Sequence, residues 1–274
     1  MGAVGTLTET IADRGRAVRQ AVLDAGFALN VLVRAATRAI PDLRLRWRFF
    51  LDQLVVCGIT PLPVVAVVGV FTGMILALQV GIELQAYGQA ERISDILGVI
   101  LFREMGPIMT AMILTASVGA GMAAEIGTMA VSEELDGLEC LSIDPVSFLC
   151  LPRILALALM APLLTFLNNV LGVLGGAIVC RTQLSVPASI YFRNVIDSLR
   201  ADPDSPFGIL PEEIMSGTVK ALIFGLIIAT VSCASGLRAD GGAIGVGRAV
   251  RGAVVTSFLL IMVVGYYMSW LMFR

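Results

Sequence analysis

The chain has 274 residues, of which 57% are hydrophobic and 15% are charged, and its formal net charge is −2. This composition is typical of a membrane protein with several spans, because a soluble domain of this length would carry more charge and shorter apolar runs. The absence of histidine excludes histidine acid–base catalysis and histidine metal sites. The single lysine, Lys220, follows no Gly-x-x-x-x-Gly-Lys motif, which excludes ATP binding through a P-loop.

Residues 1–50 are predicted to form a cytoplasmic interfacial segment ahead of the spans. Apolar residues recur at helical spacing from Val18 to Ile40, and arginines interrupt them, so a secretory signal peptide is not expected. A basic amphipathic helix of this kind lies on a membrane surface. Eight arginines stand within the first 48 residues, and the positive-inside rule therefore places this segment in the cytoplasm.

Residues 51–274 are predicted to form an all-α domain with five transmembrane helices, since about 20 apolar residues suffice to cross a bilayer. The predicted spans cover residues 54–80, 96–124, 154–180, 214–237 and 253–273. An odd number of spans puts the two ends on opposite sides, so the C-terminus is predicted to lie outside when the N-terminus lies in the cytoplasm. Pro61 and Pro63 predict a kink in the first span. Gly69 and Gly73 form a GxxxG face, which joins either two subunits or two spans of one subunit.

Two other features of the spans have competing interpretations. Asn168 and Asn169 lie near the middle of the third span, where polar side chains more often hold helices together than bind ions. A glycine-rich segment with Gly245 and Gly247 joins the last two spans. We predict a tight turn there, because a phosphate-binding loop would require a preceding strand.

Two opposite charges are predicted to lie at the same depth in different spans. Glu104, which follows Arg103 in the second span, and Lys220 in the fourth span both lie about 10 Å below the outer surface at 1.5 Å per residue. A lone charge at that depth is costly, so each is expected to face a partner or a wet cavity. The two remaining interpretations are an ion pair that clamps two helices and a cation that holds a lipid phosphate.

The segment from Glu125 to Arg153, between the second and third spans, is the most acidic part of the chain. Five acidic residues in this segment have no basic residue near them in the sequence: Glu133, Glu134, Asp136, Glu139 and Asp144. Ser132 is predicted to N-cap a short helix, and Asp144 with Pro145 to begin the third span. An apolar stripe is formed by Val131, Leu135, Leu138 and Leu141. Such a helix suits docking to a soluble partner, and the alternative is an ordinary solvated loop.

The charges at the two ends of this acidic segment also have two interpretations. Glu125 lies at the inner end of the second span, and Arg153 follows the start of the third. The carboxylate of Glu125 either reaches the interface or pairs with Arg153, or the two residues take part in gating.

Five motifs together resemble the permease subunits of the MlaE type, which belong to ABC transporters that move lipids in the bacterial envelope. The matching segments are REMGP at 103–107, AAEIGTM at 123–129, SEELDGLECLSIDP at 132–145, PRILA at 152–156 and GGAIGVGRAV at 241–250. The resemblance covers roughly residue 52 to the C-terminus. One position departs from it: relatives often carry an acid in the last span, where this chain has Gly265 and Tyr266, so a polar headgroup contact from that helix is not expected.

The resemblance implies a homodimer in the bacterial inner membrane, with an interfacial N-terminal helix and a lipid cavity. It implies a cytoplasmic ATPase that binds ATP and Mg²⁺, a periplasmic MCE-domain protein, sometimes a STAS-domain protein, and a phospholipid substrate. The ATPase-docking residues by this resemblance are Glu133, Glu134, Leu135, Asp136, Gly137 and Leu138. The residues near the mouth of the lipid cavity are Arg103, Glu104 and Lys220. No cofactor within this chain and no nucleic acid partner are expected.

Two other classes of membrane protein are alternatives to a permease that performs no chemistry on its substrate. A secondary transporter or channel would require acids buried in mid-span as ion sites. A membrane enzyme would require a nucleophile with an adjacent base, and the sequence offers no evident pair.

Overall fold

The computed structural model describes residues 47–89, 92–184, 186–199 and 211–272, together with positions 26, 27, 30, 31 and 33. Within this part of the chain the fold is all-α, and five helices are long and apolar enough to cross a membrane. The predicted fold class is therefore confirmed. The predicted interfacial segment, residues 1–50, lies almost entirely outside the described residues.

The described helices form an up-and-down bundle. In chain order they are α1 (Trp47–Ile59), α2 (Leu62–Ala86), α3 (Ile93–Val131), α4 (Glu134–Cys140), α5 (Val146–Thr182), α6 (Ala188–Ser198), α7 (Glu212–Leu237) and α8 (Gly242–Met272). The first span consists of α1 and α2, and the other four spans are α3, α5, α7 and α8. The short helix α4 marks one end of the bundle, here called the acidic end, and α6 lies at the opposite end.

The first span is broken where its two prolines predict a kink. α1 ends at Ile59, and Pro61 immediately precedes the first residue of α2. Beyond the break, α2 packs closely against α5, and a Cβ atom on Gly73 would overlap the backbone carbonyl of Gly172. The GxxxG face therefore packs two spans of one subunit, which is the second of the two predicted interpretations.

The second span is longer than the predicted segment 96–124. α3 covers 39 residues, from Ile93 to Val131, and at 1.5 Å per residue it is about 58 Å long, well beyond the roughly 30 Å hydrocarbon core. Two π-helical segments, Leu101–Met105 and Thr115–Gly119, interrupt it. Such segments are rare and frequently mark functional sites. The helix is longer than the hydrocarbon core is thick, and α4 follows directly after its last turn.

The predicted tight turn before the last span is present but covers only residues 238–241, and the rest of the glycine-rich segment is helical. α8 begins at Gly242 and includes both Gly245 and Gly247, and the connection from α7 is only residues 238–241. Gly245 is required by packing, because a Cβ atom there would overlap the carbonyl of Asp240. The low helix propensity of glycine is offset here by tertiary packing, since Val246 contacts Gly127 of α3.

The long connection between the third and fourth spans, predicted as a loop over residues 181–211, contains the helix α6. Its Tyr191 is fully buried, and the phenol donates a hydrogen bond of 3.1 Å to the carbonyl of Val173. Burial raises the pKa of Tyr191, so the phenol stays protonated and remains a donor. α6 therefore packs against the first turns of α3 and the last turns of α5.

The bundle has two apolar cores, one toward each end. The core toward the acidic end includes Leu114 and Leu164, and the core toward the α6 end includes Leu101 and Val173. The residues between these pairs along α3 and α5 lie at mid-depth in the bundle.

Candidate functional site

A buried charge cluster joins three spans near the α6 end. The ammonium group of Lys220, on α7, donates hydrogen bonds to Glu104 Oε1 at 2.7 Å, to the carbonyl of Arg103 at 3.0 Å and to Ser269 Oγ at 2.8 Å. These three bonds use all three of its hydrogens. Lys220 is completely buried, whereas the side chain of Glu104 is 31% exposed. The charge of the lysine is therefore neutralised inside the bundle by α3.

The REMGP motif explains why a backbone carbonyl of α3 accepts a bond from Lys220. Pro107 has no N–H, so it cannot donate the α-helical hydrogen bond to the carbonyl of Arg103, four residues before it. The π-helical segment Leu101–Met105 distorts the ladder at the same place. Lys220 donates to this carbonyl from the neighbouring helix.

Ser269, on α8, completes the cluster, and the sequence analysis missed it. Its hydroxyl accepts from Lys220 and lies 2.8 Å from Glu104 Oε1 and 2.9 Å from the carbonyl of Gly265. A serine in an apolar helix commonly bonds its own helix four residues back, so its sequence context gave no signal of a partner on another span. The contact connects α8 to the ion pair between α3 and α7.

Glu104 and Lys220 were predicted to lie at matching depth, and in the structure their side chains are in direct contact. This is the geometry of the predicted ion pair that clamps two helices. Contact of Arg103, Glu104 or Lys220 with a lipid remains a prediction.

The acidic segment forms an exposed helix at the other end of the bundle. No residue of α4 is buried, Leu135 and Leu138 are half-exposed, and Leu141, which follows α4, is 72% exposed. The carboxylates of Glu133, Glu134 and Asp136 are on exposed residues beside this apolar stripe. An apolar stripe flanked by acids, with little of it covered by the chain itself, is a surface suited to a basic partner.

The predicted N-cap of this helix was wrong, whereas the predicted cap by Asp144 is observed, at the start of a third span that begins earlier than the predicted residue 154. Ser132 ends α3 and donates to the carbonyl of Thr128 at 2.8 Å, because α3 runs farther than predicted and offers that acceptor. Glu133 precedes α4 in a left-handed conformation, with φ 61°. The backbone N–H of Val146 donates to Asp144 Oδ1 at 3.2 Å, as expected for a capping aspartate.

Glu125 and Arg153, the first and last residues of the acidic segment, form an ion pair. Arg153 Nη2 lies 2.9 Å from Glu125 Oε2 and joins α3 to α5. The arginine side chain is 5% exposed and the glutamate side chain 60%. Among the described residues, Nε and Nη1 of Arg153 have no hydrogen-bond partner. The pairing is thus observed, and the gating role remains a prediction.

An apolar groove with a volume of about 780 Å³ opens where the first span breaks. It lies between α1 and α5. Its lining residues are Leu51, Leu54, Val55, Gly58, Ile59, Leu62, Met160, Leu163, Leu164, Phe166, Leu167 and Val170. A groove of this composition within membrane-spanning helices fits hydrocarbon chains.

The predicted site residues therefore fall into two groups at opposite ends of the bundle. Arg103, Glu104 and Lys220 meet near the α6 end. The other group, at the acidic end, consists of the α4 residues with the pair Glu125–Arg153 and with Gly245 and Gly247. α3 extends between the two groups and contributes a carboxylate to each.

Comparison with known proteins identifies the family. The family model described as Permease MlaE matches residues 50–271. A probable ABC transporter permease protein of Synechocystis is 35% identical and covers 84% of each chain. A second one, from Rickettsia typhi, is 36% identical and covers 90% of this chain and 91% of its own. The chloroplastic protein TRIGALACTOSYLDIACYLGLYCEROL 1 of Arabidopsis thaliana is 30% identical and covers 91% of this chain and 68% of its own. With this match and its five spans, the chain is a multi-pass membrane protein that belongs to the MlaE family of ABC transporter permeases.

Proposed function

We propose that this permease moves phospholipids or related lipids between the inner membrane and the outer envelope of a bacterium, driven by a separate ATPase subunit. The observation that carries the proposal is the exposed acidic helix α4, which lies between the second and third spans at one end of the bundle. The chain itself performs no chemistry on the lipid, and ATP with Mg²⁺ is bound by the partner.

Docking of the ATPase onto α4 is supported by the charge and exposure of this helix. Glu133, Glu134 and Asp136 form a negative surface, and the half-exposed Leu135 and Leu138 supply apolar contact area. Gly137 has no atom within 4 Å of the position where a Cβ would stand, so the helix presents a shallow notch to a partner. A complementary groove on the ATPase would be basic at its rim and apolar at its centre.

We assign the acidic end to the cytoplasm from the arginines that flank the spans in the sequence. The first 48 residues carry eight arginines, and Arg238, Arg248 and Arg251 lie around the connection between α7 and α8. Positive residues near the ends of spans favour the cytoplasmic side, whereas acids contribute little to orientation. This orientation puts the N-terminus in the cytoplasm and the C-terminus in the periplasm.

A lipid substrate is supported by the name of one relative and by two features of the bundle. The Arabidopsis relative is named for trigalactosyldiacylglycerol, a lipid. The groove between α1 and α5 is lined by apolar residues. The cluster around Lys220 places a partly exposed carboxylate, that of Glu104, within the span, where it can line a wet cavity.

The proposed assembly contains two copies of this chain, the ATPase, and a periplasmic MCE-domain protein that exchanges lipid with the permease, with a STAS-domain protein as a further possible subunit. A second copy is supported by the exposed apolar surface of α8, which includes Leu259, Val263 and Tyr266. Surfaces of this kind face either lipid or a partner helix.

The direct test is to purify the chain with its co-expressed neighbouring gene products and to identify bound lipids by mass spectrometry. A stoichiometric phospholipid that co-purifies with a complex containing an ATPase is the expected result. A complex without an ATPase and without enriched lipid, or uptake of a small ion by the chain alone, would contradict the proposal.

A further inference from the structure

A buried polar layer lies between the two apolar cores, on the faces of α5 that meet α3 and α2. Its members are Thr110 of α3 and Thr165, Asn168 and Asn169 of α5, none of them more than 3% exposed. Among the described residues, the hydroxyls of both threonines, both polar side-chain atoms of Asn168, and Oδ1 of Asn169 have no hydrogen-bond partner. Five polar atoms without a partner in the described part of the chain are thus concentrated at mid-depth in the bundle.

The antiparallel register of α3 and α5 brings these groups together. Oδ1 of Asn169 rests against the backbone of Gly106, where a Cβ atom would overlap it. Thr110 lies four residues after Gly106, and Thr165 lies four residues before Asn169, so each shares a face with its neighbour one turn away. Because the helices run in opposite directions, the two hydroxyls lie at the same level of the α3–α5 interface. Asn168 Oδ1 instead contacts Gly69 of α2.

Unpaired polar atoms at this depth are costly, and buried polar groups in proteins are normally paired with protein atoms or with ordered water. This layer combines donors with acceptors and contains no carboxylate. A bound cation is disfavoured, because no acid of the layer would balance its charge. Water both donates and accepts, and so matches the mixture.

We propose that the α3–α5 interface binds ordered water molecules at mid-depth in the bundle, held by Thr110, Thr165 and Asn169. This site distinguishes the contact of α5 with α3 from its contact with α2. At α2, Gly73 meets Gly172 backbone to backbone, which leaves no space for water. At α3, water that exchanges partners allows a small helix shift while the polar atoms stay hydrogen-bonded.

The sign of a stability change tests this proposal. Thr110→Val and Thr165→Val each remove a partner of the water, and we expect Tm in lipid nanodiscs to fall by about 2–4 °C. The matched control is Thr115→Val on the same helix, because the buried Thr115 hydroxyl already donates to the carbonyl of Ala111 at 2.8 Å. Its Tm should remain close to that of the unmodified chain. In a dry interface, removal of an unpaired hydroxyl is neutral or stabilising, so an unchanged or higher Tm for Thr110→Val would overturn the proposal.

A cryo-EM map of the nanodisc complex at a resolution that shows waters provides a second, independent measurement. Density within hydrogen-bonding distance of both threonine hydroxyls and of Asn169 Oδ1 is the expected result. Direct packing of these side chains with no density between them would overturn the proposal. Density that disappears when Na⁺ and K⁺ are replaced by N-methylglucamine would identify a cation and would overturn it as well.

Discussion

Lys220 of α7 donates a 2.7 Å hydrogen bond to the carboxylate of Glu104 on α3, although 116 residues separate them in the sequence. The lysine is completely buried, and its other two hydrogens are used by the carbonyl of Arg103 and by Ser269. In this conformation a lipid phosphate could bind Lys220 only by displacing one of these three acceptors.

Removing the lysine charge should therefore destabilise the bundle more than removing both charges. Lys220→Met leaves Glu104 and the Arg103 carbonyl without their partner, and we expect a loss of about 3 kcal/mol. The double variant Glu104→Gln with Lys220→Met should recover part of this loss, since no uncompensated charge remains. Chemical unfolding in detergent measures both. Unfolding of Lys220→Met at the denaturant concentration of the unmodified chain would show that the pair does not clamp α3 to α7.

Ser269 should contribute to stability through this cluster. Ser269→Ala removes an acceptor of a charged donor, and a loss of about 1.5–3 kcal/mol is expected. The control is Ser216→Ala on α7, because Ser216 is buried and its hydroxyl donates to the carbonyl of Glu213 within its own helix. That variant should be neutral or slightly stabilising. Equal effects of the two substitutions would refute a specific role for Ser269.

The close contact between α2 and α5 predicts that a single methyl group added at Gly73 destabilises the protein. In Gly73→Ala the new Cβ overlaps the carbonyl of Gly172, so the helices must separate, at a cost of about 1–3 kcal/mol. Gly121→Ala is the matched control, because nothing lies within 4 Å of a Cβ at Gly121. Alanine there should be neutral or stabilising. Thermal unfolding compares the two, and a Gly73→Ala variant as stable as the control would be inconsistent with this packing.

The exposure of the cysteines predicts a simple labelling pattern. Cys140 at the end of α4 is exposed, and the other four cysteines are buried. An impermeant maleimide should label the folded chain only at Cys140, and only from the cytoplasmic side. In a Cys140→Ser background, a cysteine introduced at the exposed Ser189 of α6 should react only from outside. Reaction of both sites from one face would contradict the orientation and the five-span topology.

Much of the fold is readable from the sequence because long apolar runs dictate spans. The kink at Pro61 and the capping of α5 by Asp144 are local effects, and both were predicted. The helical start of α8 was not, because packing against Gly127 offsets its glycines. Helix α6 was missed in a segment rich in proline and aspartate.

Some residues of the charge cluster could be predicted from the sequence, and one could not. The matching depth of Glu104 and Lys220 was predictable, because it follows from the position of each residue along its helix and the rise per residue. The participation of Ser269 depends on the rotation of α8 against α7, where Gly265 packs on Phe224 one turn away. No local pattern encodes that rotation, so only the packed structure reveals the third side chain of the cluster.

Docking of an ATPase onto α4 is tested most directly by reversing the charge of this helix. The triple variant Glu133→Lys, Glu134→Lys and Asp136→Lys changes exposed positions only, so the permease should still fold and insert. The variant helix presents positive charges to a basic partner. Repulsion between them should lower co-purification of the ATPase to background. The control reverses Glu212 and Glu213 at the first turn of α7, at the other end of the bundle, and should retain the ATPase. ATPase recovered with the triple variant in the amount found for the unmodified permease would contradict the account.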